Sequence, residues 1–146
     1  MAPNTGTLPT LAWIYGVAGL IPFVGCAAAD IAAITPGPAW WRFALLIYSA
    51  IILSFLGGGR WGLELAQAVP RRSVITLAMG PSIAGFFLLL TPGADRTWAL
   101  CGAIVAHGLQ WLWDVRGSGR PEGYGRLRTV LAGGAMLSIV AALAVG

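Results

Sequence analysis

Long apolar runs, separated by short polar breaks, dominate the chain. Five runs are long enough for membrane-spanning helices, because a hydrocarbon core about 30 Å thick needs roughly 20 apolar residues in α-helix. The predicted segments cover residues 11–34, 43–67, 74–90, 97–113 and 129–145, and the last three are near the short limit. The pattern predicts an all-α, polytopic membrane bundle of about five transmembrane helices, forming a single domain over residues 1–146.

The breaks carry residues that end helices. Thr-Pro-Gly-Pro occupies residues 35–38, and prolines and glycines also punctuate residues 70–72 and 91–95. Proline and glycine do not easily continue a helix, so these stretches are predicted turns. The longest polar stretch, residues 114–128, is too short to form a soluble domain core. Such short connections make consecutive helices antiparallel neighbours.

Two prolines, Pro22 and Pro81, fall inside predicted segments. Each removes a backbone donor and frees the carbonyl four residues earlier, on Ala18 and Leu77. We therefore expect a kink at each of these positions, which neighbouring helices or local side chains would have to satisfy.

Composition strengthens the membrane interpretation. The chain is 58% hydrophobic and 10% charged, whereas soluble domains are roughly 45–50% apolar and about 25% charged. So much apolar surface cannot be hidden in a small soluble core. The net charge is +4, and every basic residue is arginine. The arginines flank apolar runs and form no basic stripe, which argues against a nucleic-acid partner and for membrane lipids.

The arginines also predict orientation. Six lie in breaks on the N-terminal side of the membrane, and two lie on the other side: Arg71, Arg72, Arg116, Arg120, Arg126 and Arg128 against Arg42 and Arg96. Because cytoplasmic loops are enriched in Lys and Arg, the N-terminus is expected in the cytoplasm and the C-terminus in the periplasm. This corresponds to a multi-pass membrane protein whose two termini lie on opposite sides.

The second segment contains the densest group of small and charged residues. Gly57, Gly58 and Gly62 are predicted to mediate helix packing, since Gly58 and Gly62 form a small-xxx-small pair. Arg60 and Glu64 are four positions apart and share a helix face. An ionisable residue in a membrane helix is costly and usually faces the protein interior or a water-filled cavity. Arg60 is therefore expected to contact other helices or to snorkel to the interface.

The fourth segment carries a second polar group. His107, Gln110 and Asp114 are spaced by three and four residues, which places them on one helix face. The second and fourth segments run in the same direction, so this face and the Arg60–Glu64 group lie at the same depth. We expect a polar intramembrane cluster of these five residues, with Arg60 or Glu64 within hydrogen-bond reach of the fourth segment.

No motif identifies a catalytic residue. The chain has two cysteines and one histidine, too scattered for a metal or haem site. A nucleophile motif, a phosphate loop and a dinucleotide fingerprint are all missing. No cofactor is predicted, and enzymatic activity is not favoured.

Several strings resemble a known family. They are residues 19–23 (GLIPF), residues 48–58 (YSAIILSFLGG) followed by Trp61 and Gly62, Pro81 with Ser82, and residues 123–128 (GYGRLR). Together they are similar to the small multi-pass membrane proteins that carry the domain of unknown function 3429, whose animal members include a mitochondrial protein. The motif positions matched are Pro22, Tyr48, Ser54, Trp61, Pro81, Tyr124 and Arg128.

The resemblance implies a bacterial inner membrane, or the mitochondrial inner membrane that descends from it, and brings no activity. It covers most of the chain, with one departure. The family pattern has His-Trp-Gly where this chain has Arg60, Trp61 and Gly62. A role that rests on that histidine is therefore not carried over.

Three functions remain open. The leading hypothesis is a non-catalytic accessory subunit, assembly factor or lipid-binding scaffold, with other membrane-protein subunits as partners. The alternative is a small transporter or proton-conducting protein that uses Arg60, Glu64, His107 and Asp114. A membrane enzyme acting on a lipid or quinone is the third.

The orientation can be tested with reporter fusions at both ends of the chain. From the six-to-two arginine bias, a cytoplasmic reporter should be active at the N-terminus and a periplasmic reporter at the C-terminus. Periplasmic activity at the N-terminus would overturn this topology.

Overall fold

The structure is a computed structural model that describes residues 8–93, 96–117 and 120–145. Within these residues it contains no β-strand and seven α-helices: α1 (Thr10–Ala18), α2 (Ile21–Ile31), α3 (Pro38–Leu65), α4 (Arg72–Leu77), α5 (Gly80–Leu90), α6 (Thr97–Arg116) and α7 (Tyr124–Ala144). The predicted all-α fold is confirmed. Residues 1–7 at the predicted cytoplasmic end, part of the predicted turn at 91–95, and residues 118, 119 and 146 lie outside the described residues.

Two of the predicted segments are broken helices, and proline explains both breaks. Pro22 lies in the first turn of α2, directly after α1 ends at Ala18, and Pro81 lies in the first turn of α5, after α4 ends at Leu77. Proline is tolerated in the first helical turn, where its missing N–H has no partner in any case. Each segment therefore continues across the bilayer as two short helices.

Four spans are long and apolar enough to cross a membrane: Thr10–Ile31, Pro38–Leu65, Arg72–Leu90 and Tyr124–Ala144. The remaining helix, α6, has 20 residues, which corresponds to roughly 30 Å. It is less apolar because His107, Gln110 and Asp114 interrupt it, and all three are buried inside the bundle. We therefore describe α6 as a fifth spanning helix whose polar face is turned away from lipid.

Helix boundaries differ from the predicted ones where loop glycines set the turn. The helix α3 begins five residues before the predicted segment because Gly37, with φ of 118°, turns the chain and Pro38 starts the helix. Likewise, α7 begins at Tyr124, after Gly123 with φ of 84°. These positive φ values suit glycine, and hydropathy alone does not detect them.

The helix α3 is the centre of the bundle. It contacts α2, α4, α5, α6 and α7, while α6 packs on α7 and α7 packs on α2. Large fully buried side chains come from four helices, including Phe23, Leu45, Leu100 and Ile139. Alanines fill most of the remaining core, which allows close helix packing where the surrounding medium is as apolar as the core.

Among the glycines predicted to mediate packing, only Gly57 has a tight neighbour. A Cβ atom on Gly57 would overlap the Ala78 carbonyl oxygen at the α4–α5 break. By contrast, Gly58 and Gly62 are exposed, and a Cβ on either would meet nothing within 4 Å. The predicted small-xxx-small contact is therefore wrong within this chain, because the α3 face that packs on α5 contains Gly57 and not its neighbours.

We expect Gly57→Ala to destabilise the bundle by about 1–3 kcal/mol, the usual cost of overpacking a well-packed core. The added methyl group would press on the Ala78 carbonyl. Thermal unfolding in detergent provides the measurement. The matched control is Gly58→Ala, which gains the same helix propensity in open space. Equal stability of the two variants would contradict the assigned contact.

Candidate functional site

A buried carboxylate joins three helices at one end of the bundle. Asp114, in the last turns of α6, is only 1% exposed. Its Oδ1 lies 3.1 Å from Arg60 Nε of α3, and its Oδ2 accepts a hydrogen bond of 2.8 Å from Arg128 Nε of α7. Gln110, one turn earlier on α6, donates to Oδ1 at 3.2 Å. We call Arg60, Gln110, Asp114 and Arg128 the Asp114 network.

Burial makes this network costly to disrupt. The Arg60 and Arg128 side chains are 13% and 7% exposed, so neither guanidinium is well solvated. Removing one partner of a buried ion pair leaves an uncompensated charge and costs about 3–5 kcal/mol. The network therefore fixes the relative positions of α3, α6 and α7.

Arg60 is held by more than its charge. Its Nη2 donates to the Trp113 carbonyl oxygen, and its guanidinium lies over the Trp113 ring, 4.6 Å from the centroid. The nearby Nε atom is close to Asp114 but lacks the alignment of a hydrogen bond. Arg60 therefore contacts α6, and it lies within 3.1 Å of Asp114. The sequence analysis predicted this contact from the common depth of the two residues.

A third arginine, Arg120, joins the group from the α6–α7 loop. Its guanidinium lies over the Tyr124 ring at 5.6 Å from the centroid. The side chain is half-buried, and its Nε and Nη2 atoms are buried without a hydrogen-bond partner among the described residues. Burial, together with the positive charge of Arg60, lowers the pKa of Arg120.

The guanidinium groups of Arg60 and Arg120 converge on Gly117. A Cβ atom on Gly117 would overlap Arg120 Nη2 and would lie 2.9 Å from Arg60 Nη1. Two like charges thus stand beside one backbone position, with the Asp114 carboxylate already shared between Arg60 and Arg128. A side chain at this position would require both guanidinium groups to shift.

Glu64 does not join the network. Although Arg60 and Glu64 are four residues apart, Glu64 binds Arg71: its Oε1 accepts from the Arg71 backbone N–H at 2.8 Å and from Nε at 2.9 Å, and its Oε2 accepts from Nη2 at 2.9 Å. The chain turns back after α3 and brings Arg71 onto the carboxylate. Glu64 therefore belongs to a loop-closing pair, which contradicts its predicted place in the cluster.

His107 also lies apart from the network. It shares the face of Gln110 and Asp114 but is nearly two turns from Asp114, at 2% exposure. Its Nε2 forms a hydrogen bond of 2.9 Å with the Ser49 hydroxyl of α3, and its ring meets the edge of Phe23 at 5.7 Å between centroids. The five predicted residues thus divide into three sites: Glu64 with the loop, His107 with α3, and the Asp114 network.

The other end of the bundle has an ion pair that the sequence analysis did not single out. Arg42 of α3 donates from Nε to the Asp30 carboxylate of α2, at 3.1 and 3.3 Å, and from Nη2 to the Ala142 carbonyl of α7 at 3.1 Å. The sequence contained a signal for this pair, because Asp30 lies near the end of the first apolar segment and Arg42 follows the short turn after it.

The family-motif residues fall mostly at helix contacts. Tyr48 of α3 donates to the Gly19 carbonyl at 2.9 Å, at the break between α1 and α2, and its ring packs on Phe23. Arg128 binds Asp114 and Tyr124 faces Arg120. Ser54 and Trp61, however, lie on the outward face of α3.

A groove of about 670 Å³ runs between α4–α5 and α6. Its lining is almost entirely apolar: Leu77, Gly80, Pro81, Ala84, Phe87, Leu88, Thr91, Gly102, Val105, Ala106, Leu109, Gln110 and Trp113. Several of these walls are open to the surroundings, with Leu77, Phe87 and Leu109 each 63% exposed. From Gly102 to Trp113 the groove follows α6 for roughly 16 Å. We call this feature the α5–α6 groove.

The groove ends at the Asp114 network. Gln110 and Trp113 line its end, and these residues contact Asp114 and Arg60 respectively. The apolar groove therefore ends at two residues that contact the Asp114 network. Among the described residues, no set of three His, Cys, Asp or Glu side chains could hold a metal ion.

Comparisons with known proteins agree on a membrane family. A family model described as "Protein of unknown function (DUF3429)" matches residues 8–144. Transmembrane protein 69 of Xenopus tropicalis is 30% identical over 148 residues, which cover 92% of this chain and 54% of the relative. The chain thus spans about half the length of the curated relative that it matches. No solved structure matches it.

Asp114→Asn is expected to destabilise the protein by about 3–5 kcal/mol, because two buried guanidinium groups would lose their shared carboxylate. Thermal unfolding in detergent measures the effect. The control is Glu122→Gln, the same acid-to-amide change at an exposed position. Glu64→Gln should cost less than Asp114→Asn, since the Arg71 side chain is 67% exposed. An Asp114→Asn variant as stable as the control would show that the network does not hold the helices.

Proposed function

Given that this chain belongs to the DUF3429 family of proteins of unknown function, we propose that it is a non-catalytic, lipid-binding scaffold in the membrane. The observation that carries the proposal is the open α5–α6 groove beside a closed ion network. The closed ion network argues against proton conduction, and the open groove supports lipid binding.

The ion network supports a structural role for the charges. Asp30 is bound to Arg42, Glu64 to Arg71, and Asp114 to both Arg60 and Arg128. A carboxylate that exchanges protons along a conduction path has to change its partners, whereas these three are held by arginine side chains that stay protonated. Conduction through Glu64, His107 and Asp114 also lacks continuity, because these residues occupy separate sites.

The groove supports lipid binding. Its volume of about 670 Å³ falls within the range of ligand sites, about 300–1,000 Å³. Its exposed walls are apolar side chains, and within a bilayer they face hydrocarbon. A lipid tail is therefore the occupant whose chemistry fits a narrow apolar channel about 16 Å long, since every contact it makes there is a dispersion contact.

Location and partners complete the proposal. We place the protein in a bacterial inner membrane, with its arginine-rich end in the cytoplasm. Residues 60–72 and 114–128 at that end contain seven arginines and three acids, which suits the anionic cytoplasmic leaflet. As a scaffold it would serve as an accessory subunit or assembly factor, with other membrane-protein subunits packed on its small-residue outer face, where Gly58 and Gly62 are exposed.

Native mass spectrometry of protein extracted with its surrounding lipids tests the groove. Ala106 lines the groove, so Ala106→Trp should fill it and remove most of the retained lipid. Ala84→Trp fills the groove from the opposite wall and should act in the same way. Helicity and thermal stability establish that each variant is folded.

The control is Ala28→Trp, which adds the same bulk at an exposed position of α2 outside the groove. It should retain as much lipid as the unmodified protein. Equal lipid retention by all three tryptophan variants would contradict lipid binding in the groove. Polypeptides that co-purify in defined proportion would identify the partner complex.

A further inference from the structure

We propose that Arg60 and Arg120 form a binding site for the phosphate group of an anionic membrane lipid whose tail occupies the α5–α6 groove. The inference rests on the proposed lipid-binding function and adds the class of headgroup. It is carried by the charge around Asp114, the unpartnered atoms of Arg120 and the position of the groove.

The local charge is not balanced within the protein. Three arginines, Arg60, Arg120 and Arg128, surround the single carboxylate of Asp114. Asp114 forms an ion pair with Arg128 and a second ion pair with Arg60. Two positive charges therefore remain in a partly buried position, where their mutual repulsion is less screened than in water. A bound dianionic or monoanionic group would relieve that repulsion.

Arg120 shows where such a group would bind. Its Nε and Nη2 atoms are shielded and donate to no acceptor in the described part of the chain. Leaving a buried donor without an acceptor is unfavourable, and more so when the group is charged. Nε and one terminal nitrogen are also the two donors that arginine uses for bidentate binding of phosphate oxygens. The two unpaired donors of Arg120 therefore match a phosphate in number and type, and binding would require the side chain to turn so that both donors face the ligand.

Gly117 keeps a second guanidinium within reach of the same ligand. The guanidinium groups of Arg60 and Arg120 both lie beside the Gly117 α-carbon, so close that an added methyl group would overlap Arg120 Nη2. Trp113 and Tyr124 cover one face of each guanidinium group. Since Arg60 Nη2 already donates to the Trp113 carbonyl and Nε faces Asp114, Nη1, which lies beside Gly117, is the Arg60 atom that would bind the ligand. Two arginines that share one anion form a stronger site than either does alone, because both charges are neutralised together.

The position of the groove favours a lipid phosphate over inorganic phosphate. Trp113 lines the end of the groove and also supports Arg60. A lipid tail in the groove therefore places its headgroup at the arginines, while free phosphate would use none of the apolar contacts. Zwitterionic headgroups would bring a positive choline group towards the same arginines, so a net negative lipid is the favoured ligand.

The test compares lipids that share the same tails. Delipidated protein is incubated with equal amounts of phosphatidylglycerol, phosphatidylcholine and diacylglycerol, and bound lipid is counted by native mass spectrometry. One charge-assisted phosphate contact corresponds to about a tenfold preference for phosphatidylglycerol over diacylglycerol, which has no phosphate. Because the choline group cancels the phosphate charge and is repelled by the arginines, phosphatidylglycerol should also bind better than phosphatidylcholine. Arg120→Gln should reduce the preference over diacylglycerol to about one, without loss of folding, since Nε and Nη2 of Arg120 donate no hydrogen bond within the described residues. Gly117→Ala should reduce it as well.

The matched control is Arg126→Gln, which removes one exposed arginine from the same end of the bundle. It should keep the preference. An equal loss in Arg126→Gln would assign the preference to diffuse charge and overturn the site. Equal binding of all three lipids by the unmodified protein would overturn the headgroup site while leaving lipid binding in the groove intact. Binding of inorganic phosphate that depends on Arg120, without any preference among lipids, would overturn the lipid assignment. Retention of none of the lipids would overturn the proposed function itself.

Discussion

The bundle depends on one carboxylate. Asp114 lies at the point where α3, α6 and α7 approach each other, and it receives an arginine from each of its two neighbours. Lipid offers no water to solvate these charges, so the three groups are stable together and costly apart. This explains why α6, the least apolar of the spans, can cross the bilayer: its polar residues are turned inward onto partners from adjacent helices.

The same constraint accounts for the α5–α6 groove. The ion pairs and the Ser49–His107 hydrogen bond hold α6 against α3 and α7. On its other side, α6 meets α5 closely at Gly102, where a Cβ would overlap Leu88. Towards the Asp114 network the facing residues are small, among them Gly80, Ala84 and Ala106. Neither side chains nor charges draw the two helices together there, and the space between them stays open.

The family motif acquires a physical basis from these contacts. Tyr48 donates a hydrogen bond to the Gly19 carbonyl at the α1–α2 break. Pro22 and Pro81 lie in the first turns of the helices that follow the two breaks. Arg128 binds the Asp114 carboxylate. The departure from the family pattern falls at Arg60, inside the Asp114 network. At this position a histidine is shorter and not permanently charged. Arg60 therefore contributes to the excess positive charge that supports our phosphate site.

Local properties of the sequence were sufficient to predict the five apolar segments, an irregularity at each of the two prolines and the common depth of Arg60 and Asp114. Hydropathy, proline chemistry and helical periodicity act over a few residues, so they can be read along one segment. The partners of the charges could not be read in this way. Glu64 binds Arg71 and not Arg60, and His107 forms a hydrogen bond with Ser49. The guanidinium group of Arg120 lies near that of Arg60, beside Gly117. Each choice depends on which helices become neighbours and how each loop turns, and the α5–α6 groove likewise exists only once the helices are assembled. Tertiary structure decided these features, because a buried charge takes the partner that three-dimensional packing brings nearest and not the one closest in sequence.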